Sequence, residues 1–345
     1  MPALFRLMAL APLAVTLHGC SINGTYPEST NPEAAKLRYI SGNSSATLDL
    51  FDGDHCAGWT TGLLNNLFVA DTRKRVDMIV PPPAGTKSYY ELRMEPGKPV
   101  YFRVNTQNNA TQCSVAFNLT PQPGSEYELS FKERPGLCVA QFVRLQKVGG
   151  EYRRQHYPMV NEAPDACLGK NPLFPKPPTA LPDTAERAEL IEQIMRDSFP
   201  PRLKMLSRVK FIAVQDQEPV ETQIAKRKHE VGFELPDSYW EKYRANLRAY
   251  AEALSQIEKR VDARFEADSL TLLRSVSTEQ LSVWAGKTHD RNLKSREKRL
   301  KDAEFYHGYV AQQTFAQIQL EHLQKMAQLD QTAGVCEHYA GCWRL

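Results

Sequence analysis

Beyond residue 20 the sequence has no apolar run long enough to cross a bilayer, which takes about 20 residues. It also lacks an excess of either charge: 43 Lys and Arg stand against 40 Asp and Glu, a formal net charge of +3. Residues 20–182 hold 17 basic and 15 acidic side chains, and residues 183–330 hold 24 of each. Neither stretch is the polycation that a phosphate backbone selects, so no nucleic-acid partner is expected. There is no C-x-x-C pair, and the cysteines are widely spaced, which argues against zinc. H-E-x-x-H, G-x-S-x-G, a phosphate-binding Gly-rich loop and the dinucleotide fingerprint are all missing. His322 and His338 each follow a glutamate but have no second ligand at helical spacing. No metal, no cofactor and no enzymatic activity are therefore expected.

What is present begins at the N-terminus. A short cationic start, Met1 to Arg6, leads into the apolar stretch Leu7 to Leu17 and ends on Leu17-His18-Gly19-Cys20. That order is the pattern of an export signal, and it is too short to span a membrane. The box resembles the bacterial lipoprotein signal, Leu-x-Gly-Cys, with His18 where a small or aliphatic residue is usual. The resemblance implies cleavage before Cys20 and acylation of that cysteine. Ser21, where an aspartate would favour inner-membrane retention, implies an outer-membrane location facing the periplasm. Several acyl chains on one residue anchor a protein stably, since each buried CH₂ is worth roughly 0.8 kcal/mol.

Six more cysteines follow: Cys56, Cys113, Cys138, Cys167, Cys336 and Cys342. An even number in an exported chain reads as disulfides. Cys336 and Cys342 enclose five residues including Gly341, the easiest closure. The other four allow three arrangements. Cys113–Cys138 is favoured because both lie near one end of the last strand meander, which leaves Cys56–Cys167.

Residues 36–150 read as strands: 36–40, 46–51, 76–80, 89–94, 100–105, 113–119, 126–131 and 137–145. Turn signals such as Asp52-Gly53, Glu95-Pro96-Gly97 and Pro121 to Gly124 separate them. Alternation in Val100 to Val104 and Cys113 to Leu119 is the period of half-buried antiparallel strands. The expected unit is an antiparallel β-sandwich of immunoglobulin-like size over residues 36–157. Phe117, Pro121, Gly124, Tyr127 and Cys138 resemble a recurrent pattern of uncharacterised Gram-negative lipoproteins. In them a cysteine-bearing strand passes through a Pro/Gly turn into a Tyr-bearing strand and a second cysteine. That resemblance carries no assigned activity.

Residues 158–182 contain seven prolines and read as a linker. Beyond it the period becomes helical, giving an α+β chain of two domains with an α-helical second domain over 183–333. Asp183 caps a helix to Ser198, stopped by Pro200-Pro201. Pro236-Asp237 opens a long helix with a narrow apolar seam at Trp240, Tyr243, Leu247, Tyr250, Leu254, Ile257, Val261 and Phe265. Ser277 to Gln280 offers a capping box, and residues 288–329 contain no proline. The two long helices are expected to form an antiparallel hairpin. Residues 20–35 read as a flexible tether and 334–345 as a disulfide-closed tail. The halves are expected to be separable, with few contacts crossing the linker.

Two clusters are chemically capable. Asp52-Gly53-Asp54-His55-Cys56 could run acid–base chemistry or hold a metal, although Asp-Gly-Asp is also a favoured turn. Lys287, Arg291, Lys294, Lys298 and Lys301, spaced 4, 3, 4 and 3, form a cationic stripe. It could touch anionic lipid or an acidic partner, although Glu297 and Lys301 are placed for a local pair. The expected function is a non-enzymatic, lipid-anchored envelope protein that binds another envelope protein or an envelope polymer. The alternative is a hydrolase of envelope material using Asp52, Asp54 and His55.

Overall fold

A computed structural model describes residues 24–42, 46–62, 64, 72–107, 112–134, 137–198, 218–287 and 293–345. Among the described residues the N-terminal half is built from ten strands in two sheets. Strands β1 (Ala35–Ser41), β4 (Arg73–Lys74), β5 (Tyr89–Met94), β8 (Glu126–Arg134), β9 (Leu137–Val148) and β10 (Glu151–His156) form a sheet in the order β10-β9-β8-β1-β5-β4. Strands β2 (Thr47–Phe51), β3 (Trp59–Thr60), β6 (Val100–Gln107) and β7 (Gln112–Leu119) form the other, in the order β3-β2-β6-β7. The alternation read from the sequence gives the inner faces. Leu37, Tyr39, Tyr127, Leu129, Phe131 and Phe142 of the larger sheet bury against Leu48, Phe102, Val104 and Phe117 of the smaller one.

The sandwich is not purely antiparallel as expected, because β1 runs parallel to β8 and β4 parallel to β5. Strand β1 sits between β5, which runs antiparallel to it, and β8, which comes much later in the chain and runs parallel. Residues 76–80 are not a strand either. The amides of Val76, Ile79 and Val80 donate to the Glu91 and Glu126 carboxylates instead of a ladder. This segment roofs Arg38, which is 1% exposed, bridges Glu91 and Glu128, and donates to the Val80 carbonyl. Residues 25–34, within the expected tether, lie on the sandwich. The Thr25 amide donates to Thr60 at 2.8 Å, and the Ser29 and Asn31 side chains donate to Glu95.

The Pro-rich linker is docked as well. It carries a short 3₁₀ turn (Asp165–Cys167), the Cys56–Cys167 disulfide, and Phe174 buried against Phe51 and Tyr101. Cys113–Cys138 and Cys336–Cys342 are the other two disulfides.

The helical half contains α1 (Ala185–Ser198), α2 (Val220–Val231), α3 (Asp237–Ser255), α4 (Ile257–Ser275), α5 (Thr278–Trp284), α6 (Leu293–Thr332) and α7 (Val335–His338). Pro200-Pro201, the expected stop of α1, lies outside the described residues. The expected long helix is two. It breaks at Gln256 (φ −95°, ψ 6°), where the Ser255 hydroxyl donates back to the Glu252 carbonyl, a bond that competes with the helical ladder. The apolar seam survives the break, with Tyr243 and Leu247 in one cluster and Leu254, Ile257, Val261 and Phe265 in the next. Ser277 caps α5 by accepting from the Gln280 amide. The 40-residue α6 packs along both α3 and α4. Its direction is antiparallel, since Tyr239 meets Asp330 while Asp268 meets Tyr306. Among the described residues no helix is long and apolar enough to cross a membrane.

The halves are not joined by a bare linker. Leu323 of α6 is buried in the sandwich's own core cluster, with Leu320, Trp343 and Leu345 packed against it. The larger sheet extends past the smaller at its β9–β10 end.

Candidate functional site

The junction of sheet and helices holds a cleft of about 560 Å³, within the usual range of ligand sites. The end of β10 supplies Gln155 and His156, and Pro158 follows. The helices supply Gln223 from α2, Leu247 and Tyr250 from α3, and Gln319, His322 and Leu323 from α6. Glu218 and Trp343 line it as well.

A buried polar hub sets this geometry. Asp330, fully buried, accepts from Arg227 Nη2 at 2.5 Å, from the Tyr239 hydroxyl at 2.6 Å and from the Trp343 amide at 2.7 Å. One carboxylate thereby fixes α2, α3, α6 and the tail that carries Trp343. The Cys336–Cys342 disulfide closes the same tail just ahead of the tryptophan.

Inside the cleft the rings are ordered. Tyr250 and His322 stack at 4.2 Å with a 17° interplanar angle, and Trp343 meets His322 edge-on at 5.8 Å. Burial, with a smaller contribution from Lys325, pushes His322 down to about 4, so the stacked imidazole is neutral near pH 7. Burial lowers His156 as well. Gln223 donates to the Glu218 carbonyl, and Glu218 pairs with Lys226. The wall is thus aromatic faces interleaved with amides and one carboxylate. Such a surface offers stacking area together with paired donors and acceptors, and little net charge.

Of the residues singled out in the sequence, Cys20 and Arg291 lie outside the described residues, as does the side chain of Lys294. The cationic stripe is not one helical face. Lys287 precedes α6 and pairs with Glu189 of α1 at 2.7 Å. Lys301 pairs with Glu297 one turn before it, as its spacing suggests. Lys298 lines a second cavity in the helical half.

Asp52, Asp54 and His55 make a self-capped turn. Asp52 Oδ1 accepts from the amides of Asp54 and His55 and sits 2.9 Å from His55 Nδ1. The ring of His55 rests on Trp59 at 4.1 Å. These three side chains line neither of the two large cavities. Among the described residues, no group of three or more His, Cys, Asp or Glu is arranged to hold a metal. The junction cleft itself was invisible in the sequence, because its lining runs from Gln155 to Trp343 with no short-range motif. The nearest signal was Tyr250, already on the apolar seam.

No protein-family model matches the chain, and no curated protein compared with it matches either.

Proposed function

We propose that this protein is a lipid-anchored, non-enzymatic component of the bacterial outer membrane that holds an envelope polymer in its junction cleft. The anchoring rests on Leu17 to Cys20 and its resemblance to the lipoprotein signal. The single observation that carries the binding role is the Tyr250–His322–Trp343 ring set with Gln155, Gln223 and Gln319 around it. Sugar rings present apolar C–H faces and a belt of hydroxyls, which match aromatic faces and amides. Asp52 spends its Oδ1 on the turn it belongs to, which favours binding over hydrolysis at that cluster.

The test is cosedimentation of the Cys20→Ser mature protein with purified peptidoglycan sacculi and with insoluble neutral polysaccharide. Gln223→Ala combined with Gln319→Ala should weaken pelleting with one of these at unchanged helical content. Pelleting with neither polymer, or pelleting untouched by the double substitution, would sink the reading.

A further inference from the structure

We propose that a second cavity, lined by α1, α4, α5 and α6, binds a single-chain amphiphile with an anionic head group. Its volume is about 540 Å³. The space is half open to solvent, and its size is within the usual range of ligand sites. The walls are Ile194 of α1, Phe265, Leu272 and Leu273 of α4, Trp284 of α5 and Tyr306 of α6. Ser269 and Gln280 interrupt this mostly apolar wall.

The lining is graded along its length. It follows α4 from Phe265 to Leu273 and α6 from Lys298 to Tyr306, about 12 Å on each helix. The two helices run antiparallel, and Phe265 packs on Tyr306 at 6.2 Å. That end is therefore bordered by aromatic rings, with the Tyr306 hydroxyl tied down to Asp268 at 2.8 Å. The opposite end, beside Leu272 and Leu273, carries Lys298 and Arg299. Asp302 lies one turn further in, and Arg299 already holds a partner of its own. Lys298 is exposed and makes no ion pair among the described residues.

The surface near the cavity is apolar as well. Leu272, which lines the cavity at the Lys298 end, is 52% exposed. A large apolar side chain left in water at an apolar cavity marks an entry route rather than a finished core. An aliphatic chain lying toward Phe265 and Tyr306, with its carboxylate or phosphate at Lys298, satisfies both ends. A neutral chain would lose the charge contact, and a cationic head would meet the like charge of Lys298.

Trp284 lines the cavity and reports on it directly. The Cys20→Ser mature protein is titrated with 12-bromododecanoate, whose bromine quenches nearby indoles. The expected result is saturable quenching that is lost in Trp284→Phe. Lys298→Glu should weaken the apparent affinity by about tenfold, the effect of removing and reversing one partly screened charge contact. Dodecyltrimethylammonium should not compete below its micelle concentration. Lys298→Gln, which keeps most of the side-chain stem, should fall between wild type and Lys298→Glu. Ser269→Phe, placed in the wall, should fill the space and abolish quenching at unchanged helical circular dichroism. Non-saturable quenching, equal quenching in Trp284→Phe, equal competition by the cationic amphiphile, or indifference to Lys298→Glu would each overturn the proposal.

Discussion

Gln313, midway along α6, accepts a 2.7 Å hydrogen bond from the backbone amide of Asn161, just past the last strand of the sandwich. The two residues are 152 apart in sequence, and Gln313 is buried. With Leu323 in the sandwich core, this contact makes the helices and the sheets one packed body. A fragment of residues 183–345 is therefore expected to be helical but to expose Leu320, Leu323 and Leu345. It should bind an apolar dye and melt below the full chain. A fragment melting at the full chain's temperature would show that the interface adds nothing.

The Asp330 hub gives the largest single-residue effect. Asp330→Ala strands the buried Arg227 guanidinium and frees the Trp343 amide. Losing one partner of a buried ion pair costs about 3–5 kcal/mol. Urea denaturation should show that loss, and the Trp343 emission should shift red as the tail comes away. Replacing Arg227 and Asp330 together with Met and Leu should recover part of the stability, since no charge is then left unpaired.

Much of this architecture was legible because it repeats locally. Alternating residues in Val100 to Val104 set β6, and Ser277 with Gln280 set the start of α5. The three disulfides followed from spacing and strand order. What failed to show depended on distant partners. Strand β10 reads Glu-Tyr-Arg-Arg-Gln-His and is exposed along nearly its whole length, so it has no apolar period. Residues 76–80 have an apolar period but give their amides to buried carboxylates. Helix α2 was missed because its buried Ile224 and Val231 lie among four basic residues, although Gly232 at φ 72° is a plain C-terminal signal. The cleft needed four elements and a tail to be brought together before any of its residues meant anything.

Reduction should act unequally on the three disulfides. Cys56–Cys167 spans 111 residues and Cys336–Cys342 only 6. In the chain-entropy account these are worth about 4–5 and about 2 kcal/mol respectively. Cys56→Ser with Cys167→Ser should lower the melting temperature more than Cys336→Ser with Cys342→Ser. The second pair should instead loosen Trp343 and weaken polymer pelleting. A reversed order of melting temperatures would show that the tail closure, rather than the linker, is the tighter constraint.

Anchoring is tested by Cys20→Ser in intact cells. The substituted chain should take up no radioactive palmitate and should remain as uncleaved precursor in the inner membrane. Normal processing and labelling would remove the lipoprotein reading and leave the fold untouched.

Acid sensitivity should be traceable to the stacked histidine. His322 is held down to about 4, against an ordinary value near 6.5, because its protonated form is poorly solvated beside Tyr250 and Trp343. Between those two values the unfolded chain binds a proton that the folded chain does not. Stability therefore falls as pH drops through 6.5 and levels off below about 4. The full effect is up to about 3 kcal/mol for a shift of this size. His156, lowered in the same direction, adds to the same slope. Urea midpoints measured from pH 7.5 to 4.5 should drop steeply for wild type and less for His322→Gln, whose amide keeps the hydrogen-bonding capacity without the titration. In the folded protein His322 stays neutral until about pH 4, so polymer pelleting should hold down to pH 4.5 for as long as the protein remains folded. Equal slopes for wild type and His322→Gln would place the acid sensitivity elsewhere and leave His322 as packing alone.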